Sequence, residues 1–245
     1  MKKIFLMLVA AAMTALTVSA QDIAQATENY NNGAMELQMG NNEAAIENFQ
    51  AALTMGEALG DEGADIVANC KKAIASATLS MAKDLYNAKD FEGAAAAFVK
   101  AKEVAEGYGE TEIAEEAAEL VNQANALKFN TEGKAAMKAK DYPTAIAAFP
   151  KVLEMDPANG ATAIQLGQAY MRAGQLEESN TALEIAKANG QEANAVKLIS
   201  QNYLKMAQAA VKAKKYQEAV DLAAKSNEAL ENGNAYKIAA SALQK

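Results

Sequence analysis

Leu166-Gly167-Gln168-Ala169-Tyr170-Met171-Arg172-Ala173-Gly174-Gln175-Leu176-Glu177-Glu178-Ser179-Asn180-Thr181-Ala182-Leu183-Glu184-Ile185-Ala186 decides how this chain folds. Leu166 to Tyr170 reads as helix, and Gly174 stops it, because glycine takes positive φ without steric cost. Beyond the stop, Ser179, Leu183 and Ala186 are spaced by four and three residues, which places them on one face of a second helix. One such hairpin cannot bury its own stripe, so the same unit should recur along the chain.

It does recur. Four further phrases align with Arg172-Ala173-Gly174-Gln175-Leu176: Gln38-Met39-Gly40-Asn41-Asn42, Asn87-Ala88-Lys89-Asp90-Phe91, Lys138-Ala139-Lys140-Asp141-Tyr142 and Lys212-Ala213-Lys214-Lys215-Tyr216. Each is followed by a small residue (Ala45, Ala94, Ala145, Ser179, Ala219), then by Phe49, Phe98, Phe149, Leu183 or Ala223, then by Ala52, Ala101, Val152, Ala186 or Ser226. With Gly40, Lys89, Lys140, Gly174 and Lys214 as markers, the intervals are 49, 51, 34 and 40 residues. The longer intervals add Gly56 to Asn69 and Ala105 to Leu127, which are mostly helix-forming and predict longer helices without an inserted domain. Abundant Ala, Glu, Lys, Leu, Gln and Met, with 3 Pro and no Trp, predict an all-α chain, and the many alanines suit helices stacked closely along one shared core.

The order Leu-Gly, Tyr, Ala, Phe, Pro resembles the tetratricopeptide repeat. Leu166, Gly167, Tyr170, Gly174, Ser179, Leu183 and Ala186 carry it in the fourth copy, with Ser for Ala and Leu for Phe; Gly133, Ala145, Phe149, Val152 and Asp156-Pro157 carry it in the third. Gly33 holds the glycine place of the first, and the 34-residue interval is the family period. The resemblance implies a right-handed superhelical α-solenoid of about five helix pairs over residues 21–245, with repeats at about 26–59, 63–108, 111–157, 158–190 and 194–231 and a closing helix over 234–245. Lys237, Gln244 and Lys245 suit part of the polar outer face that an end repeat needs. The first, second and fifth copies depart from the family spacing.

Local chemistry marks the helix ends. Asn41, Asp90, Asp141 and Asn159 each precede a predicted helix, where a side-chain oxygen can accept from a free backbone N–H. Pro143 suits a first turn, whereas Pro150 falls inside a helix and removes the bond to the Ile146 carbonyl, so a kink or early distortion is expected there.

In the family, the first helix of each pair lines a concave groove, which implies groove places at Gln38, Asn87, Lys138, Arg172 and Lys212, two residues before each marker. Lys134, Met137, Gln168, Met171, Gln208 and Val211 join them, as do Asn130, Ile164 and Leu204; Tyr30, Leu37, Leu79, Lys83 and Tyr86 do so in the N-terminal half. Lys138, Arg172 and Lys212 form a row of cations, suited to an acidic peptide whose apolar side chains meet Met137, Met171 and Val211. The same cations also suit helix C-termini, where positive charge is favourable by roughly 0.3–1 kcal/mol. The Lys and Asn clamp of chaperone-docking family members is not reproduced at the matching places.

Composition narrows the chemistry. The formal charge is −8, there is no His, and Cys70 is the single cysteine. That excludes intramolecular disulfides, common zinc sites and imidazole bases, and the acidic balance opposes nucleic acid. Cys70, in a helical stretch beside Lys71 and Lys72, reads as a small buried apolar residue, with a reactive thiol as the alternative. No nucleophile elbow, phosphate loop or calcium loop is present, and Gly107-Tyr108-Gly109 reads as a helix end. No enzyme activity and no cofactor are expected.

Lys2 and Lys3, the apolar run from Ile4 to Val18 and the small residues Val18-Ser19-Ala20 have the layout of a cleavable signal peptide over residues 1–20. Cleavage removes two Lys and no acid, leaving 21 basic against 31 acidic residues, a charge of −10. No stable membrane insertion is expected afterwards. The periplasm is the expected destination, secretion the alternative. The function these readings imply is a protein-protein interaction scaffold in the bacterial cell envelope that holds a protein or peptide. The alternative is a structural envelope component acting through homo-oligomerisation or cell-wall association.

Overall fold

The computed structural model describes residues 2–244, with side chains from Ala20 onward. Its elements are all helical: α1 (Lys2–Gln38), α2 (Asn42–Ala58), α3 (Ala64–Asn87), α4 (Phe91–Tyr108), α5 (Thr111–Ala139), α6 (Tyr142–Met155), α7 (Gly160–Ala173), α8 (Leu176–Ala188), α9 (Glu192–Lys212), α10 (Tyr216–Ala229) and α11 (Gly233–Leu243). A 3-10 turn, Gly60–Gly63, links α2 to α3. The chain divides into two compact units, residues 1–124 and 125–245, with the boundary inside α5. The leader expected over residues 1–20 lies, apart from Ala20, outside the described side chains. Among the described residues no helix is long and apolar enough to cross a membrane.

Within the first unit α1 packs on α2, α2 on α3 and α3 on α4; within the second, α6 to α11 pack each on the next. Odd-numbered helices also touch their odd neighbours, α1 with α3, α7 with α9 and α9 with α11. Each unit therefore has a wall of odd-numbered helices, and the expected all-α solenoid packing is met inside each.

The seam of each helix pair is a small residue on the odd helix facing a larger one on the even helix. A Cβ added to Gly33 would come within 2.7 Å of the Phe49 ring, one on Gly133 within 2.5 Å of Phe149, and one on Gly167 within 2.7 Å of Leu183. Ala82 takes this place against Phe98 in the second copy, and Ala207 against Ala223 in the fifth. Phe49, Phe98, Phe149 and Leu183 are at most 1% exposed. Toward the C-terminus hydroxyls and amides replace ring volume: Ser179 Oγ donates to the Gly167 carbonyl at 2.7 Å, and Asn202 Nδ2 donates to Ser179 Oγ at 2.8 Å. Ser226 Oγ donates to the Ser200 carbonyl at 2.9 Å.

The five turn phrases share one backbone geometry. Gly40 and Gly174 have φ of 81° and 83°, and Lys89, Lys140 and Lys214 take the same left-handed conformation at 64°, 62° and 61°. The next residue then donates its N–H to the carbonyl five back: Asn41 to Glu36, Asp90 to Leu85, Asp141 to Ala136, Gln175 to Tyr170 and Lys215 to Ala210, all at 2.9–3.0 Å. This is the Schellman closure that satisfies a terminal helix carbonyl. Lysine holds the strained angle in three copies because the bond and the packing of the two helices over-determine it.

Of the expected caps, Asp90 accepts from Gly93 N at 2.9 Å, Asp141 from Thr144 N at 3.3 Å and Asn159 from Thr162 N at 2.9 Å. Asn41 does not cap α2; its Nδ2 donates to Glu36 Oε2 at 2.7 Å, so the amide is turned back to the preceding helix. Pro143 lies in the first turn of α6, and α6 stays helical through Pro150 to Met155, so the expected distortion does not end the helix. Flanking turns and the buried Phe149 and Val152 hold it on either side of the missing bond.

Candidate functional site

The odd-numbered wall of the second unit gathers the expected cations. Lys138, Arg172 and Lys212 lie in the last turns of α5, α7 and α9, and Arg172 and Lys212 stand exposed there while Lys138 is at the same place on its own helix. This is also where a helix C-terminus favours positive charge. None of the three is in an ion pair among the described residues. One turn earlier stand Lys134 and Gln208, exposed, and Gln168. Met137 packs on the cluster holding Phe149, and Val211 on the one holding Ala219, so both give only part of their surface to the wall.

A concavity lies at the C-terminal end of this wall. Gln208, Val211 and Lys212 of α9 face Lys237, Ile238 and Ser241 of α11 across a cleft of about 330 Å³. Two apolar side chains form its floor and two ammonium groups flank it, a pattern that accepts an apolar side chain next to a carboxylate. The sequence places Lys237 on an outer polar face; its spacing from Lys212 carries no signal that the two share a cleft.

The N-terminal candidates behave differently. Leu79 is 4% exposed and belongs to the core around Phe98, not to a groove. Tyr30 packs on Phe49 with ring centroids 5.4 Å apart, and Tyr86 meets Phe91 edge-on at 5.6 Å. Leu37 packs on the Phe49 cluster. Lys83 pairs with Glu116 at 2.6 Å. Where the second unit has cations two residues before the marker, the first has Gln38 and Asn87.

Cys70 is fully buried, and burial pushes its thiol up to about 11, so the thiolate that a reactive cysteine needs is suppressed. The apolar-core reading therefore holds and the reactive alternative does not. Among the described residues no group of three or more His, Cys, Asp or Glu is placed to hold a metal ion.

These features define a protein of stacked helix pairs with exposed helix walls. Residues 136–202 match the model of the tetratricopeptide repeat family. The matched segment contains α6, α7 and α8 whole. No curated protein matches the chain. Solved structures with similar helix packing include the first tetratricopeptide repeat domain of Spaghetti (RPAP3) bound to the HSP90 peptide SRMEEVD. It is 20% identical, with a TM-score of 0.33 over 49% of this chain and 91% of that one. The Sgt2 domain from Aspergillus fumigatus is 25% identical, with a TM-score of 0.33 over 49% and 77%. A thermophilic tetratricopeptide repeat protein from Thermus thermophilus, TTC0263, is 16% identical, with a TM-score of 0.28 over 90% and 100%. At such TM-scores these likenesses carry nothing about the function of this chain.

Proposed function

We propose that this chain is a non-catalytic interaction scaffold of the bacterial cell envelope, exported by its leader, that holds an acidic segment of a protein or peptide along the odd-numbered wall of its second unit. The observation that carries the reading is the row Lys138, Arg172 and Lys212: three cations at equivalent places in successive repeats that are free of ion pairs among the described residues. A planar guanidinium in the middle of the row can take a carboxylate through two parallel hydrogen bonds. Lys134, Gln168 and Gln208 add donors one turn earlier, and the exposed parts of Met137 and Met171 give adaptable apolar contact.

The test is fluorescence anisotropy with the full chain and a labelled peptide of alternating Glu and Leu. Arg172→Glu should weaken binding about tenfold or more, since truncating or reversing one partner of a hydrogen-bonded charge pair costs roughly 2–5 kcal/mol. Undiminished affinity in that variant, with an unchanged melting curve, would remove the proposed groove. Fractionation of the source cell tests the location: recovery of a shortened chain starting at Gln21 in the periplasm is expected, and an unprocessed cytoplasmic chain would contradict it.

A further inference from the structure

The first unit also has a cleft that is not on the odd-numbered wall. It holds about 710 Å³ and opens between the even-numbered helices α2 and α4, floored by α3. Ile46, Ile74, Leu85 and Val104 make it apolar, and Glu43 and Asp84 stand on one rim with Lys100 on the other. Neither Glu43 nor Asp84 is in an ion pair among the described residues.

Asn42 lies outside the lining of the cleft and supports the acidic rim through its bond to Asp84. The other copies place Phe91, Tyr142, Leu176 and Tyr216 at its position, two residues after the marker, whereas the first copy buries an amide there at 7% exposure. Its Nδ2 donates to Asp84 Oδ2 at 2.9 Å, and its Oδ1 has no partner. The two carboxylates, without an ion pair among the described residues, ask for a cationic donor, and the apolar floor asks for aliphatic side chains beside it. The surroundings agree: residues 1–124 hold 19 Asp and Glu against 8 Lys.

We propose that this outer cleft binds an amphipathic helix of a partner protein, with a Lys or Arg of that helix seated against Glu43 and Asp84 and its aliphatic side chains on the α3 floor. The site is distinct from the cationic wall of the second unit in face, charge and ligand.

The probe is a fluorescent amphipathic helix of Leu and Lys, about five turns long, titrated into the full chain beside its Leu and Glu counterpart. The Leu and Lys helix should bind, and Glu43→Lys with Asp84→Lys should weaken it about tenfold or more. Glu112→Lys with Glu119→Lys, an equal charge change on α5, should leave affinity within about twofold, and so should Arg172→Glu. The proposal is overturned if the α5 pair weakens binding as much as the rim pair, or if Arg172→Glu abolishes it. It is also overturned if the Leu and Glu helix binds equally well. Failure to bind either helix, with self-association lost in the rim variant by light scattering, would give the cleft to a second copy of the chain and overturn it likewise.

Discussion

The two units use one construction to opposite electrostatic ends. Residues 1–124 carry 19 acidic and 8 basic residues, a net charge of −11, while residues 125–245 carry 12 and 15, a net charge of +3. Both close their helix pairs with the same left-handed turn and the same five-back bond, and both bury a phenylalanine against a glycine or alanine. What holds the pairs together is thus indifferent to surface charge, which leaves the exposed faces free to differ. In the first unit, Lys83 of the odd wall is engaged by Glu116; in the second, the three cations of the row stay out of ion pairs among the described residues. The units are alike where they are buried and different where they would meet a partner.

The strongest way to break this comparison is to remove a shared seam. Phe98→Ala in the first unit and Phe149→Ala in the second should each cost about 3–5 kcal/mol, read by urea denaturation with hydrogen exchange assigning the loss to its own unit. A cost below about 1 kcal/mol in either would mean that the seam is not the common core.

A second test concerns Cys70, which only the first unit has. Burial raises its pKa from 9.0 to about 11, so the folded state favours the neutral thiol. The resulting stability is present below pH 9, where the unfolded thiol is also neutral, and is lost as pH rises from 9 to about 11. The loss should reach at most about 3 kcal/mol, and Cys70→Ala should abolish that part of the alkaline decline in melting temperature. An identical decline in the alanine variant would contradict the burial effect.

Gly133→Val sharpens the seam from the other side. Its Cβ would lie 2.5 Å from the Phe149 ring, so the pair must open, at a cost of about 1–3 kcal/mol. Pairing it with Phe149→Leu should recover part of that cost, and a strictly additive double variant would show that the two residues do not touch. The smallest effect is a gain: Lys140→Gly relieves a left-handed lysine and should add about 0.5–1 kcal/mol. Gly174, already glycine at the equivalent turn, should lose about as much on mutation to Ala.

Most of the helix pairing was legible because it depends on short spacings. Ser179, Leu183 and Ala186 declare a helical face by themselves, and the long α3 and α5 follow from the helix-forming additions between markers. The left-handed turns were legible at Gly40 and Gly174 but not at Lys89, Lys140 and Lys214, because lysine carries no preference for positive φ and only alignment with the glycines reveals it. Asn41 misled because a capping residue can bond backward as well as forward. Leu79 misled because its place on a groove-facing step is covered by the Phe98 cluster. The opposite charges of the halves could have been counted without a structure, once the boundary in α5 was known. The outer cleft could not, since Glu43, Asp84 and Lys100 meet only when three helices stack.

The most direct test of the account is hydrogen exchange of the full chain with and without an acidic Glu and Leu peptide. Added protection should fall on the last turns of α5, α7 and α9, around Lys138, Arg172 and Lys212, and leave residues 20–110 unchanged. Protection confined to the first unit, or none at peptide concentrations that saturate anisotropy, would contradict the assignment of the cationic wall as the binding face.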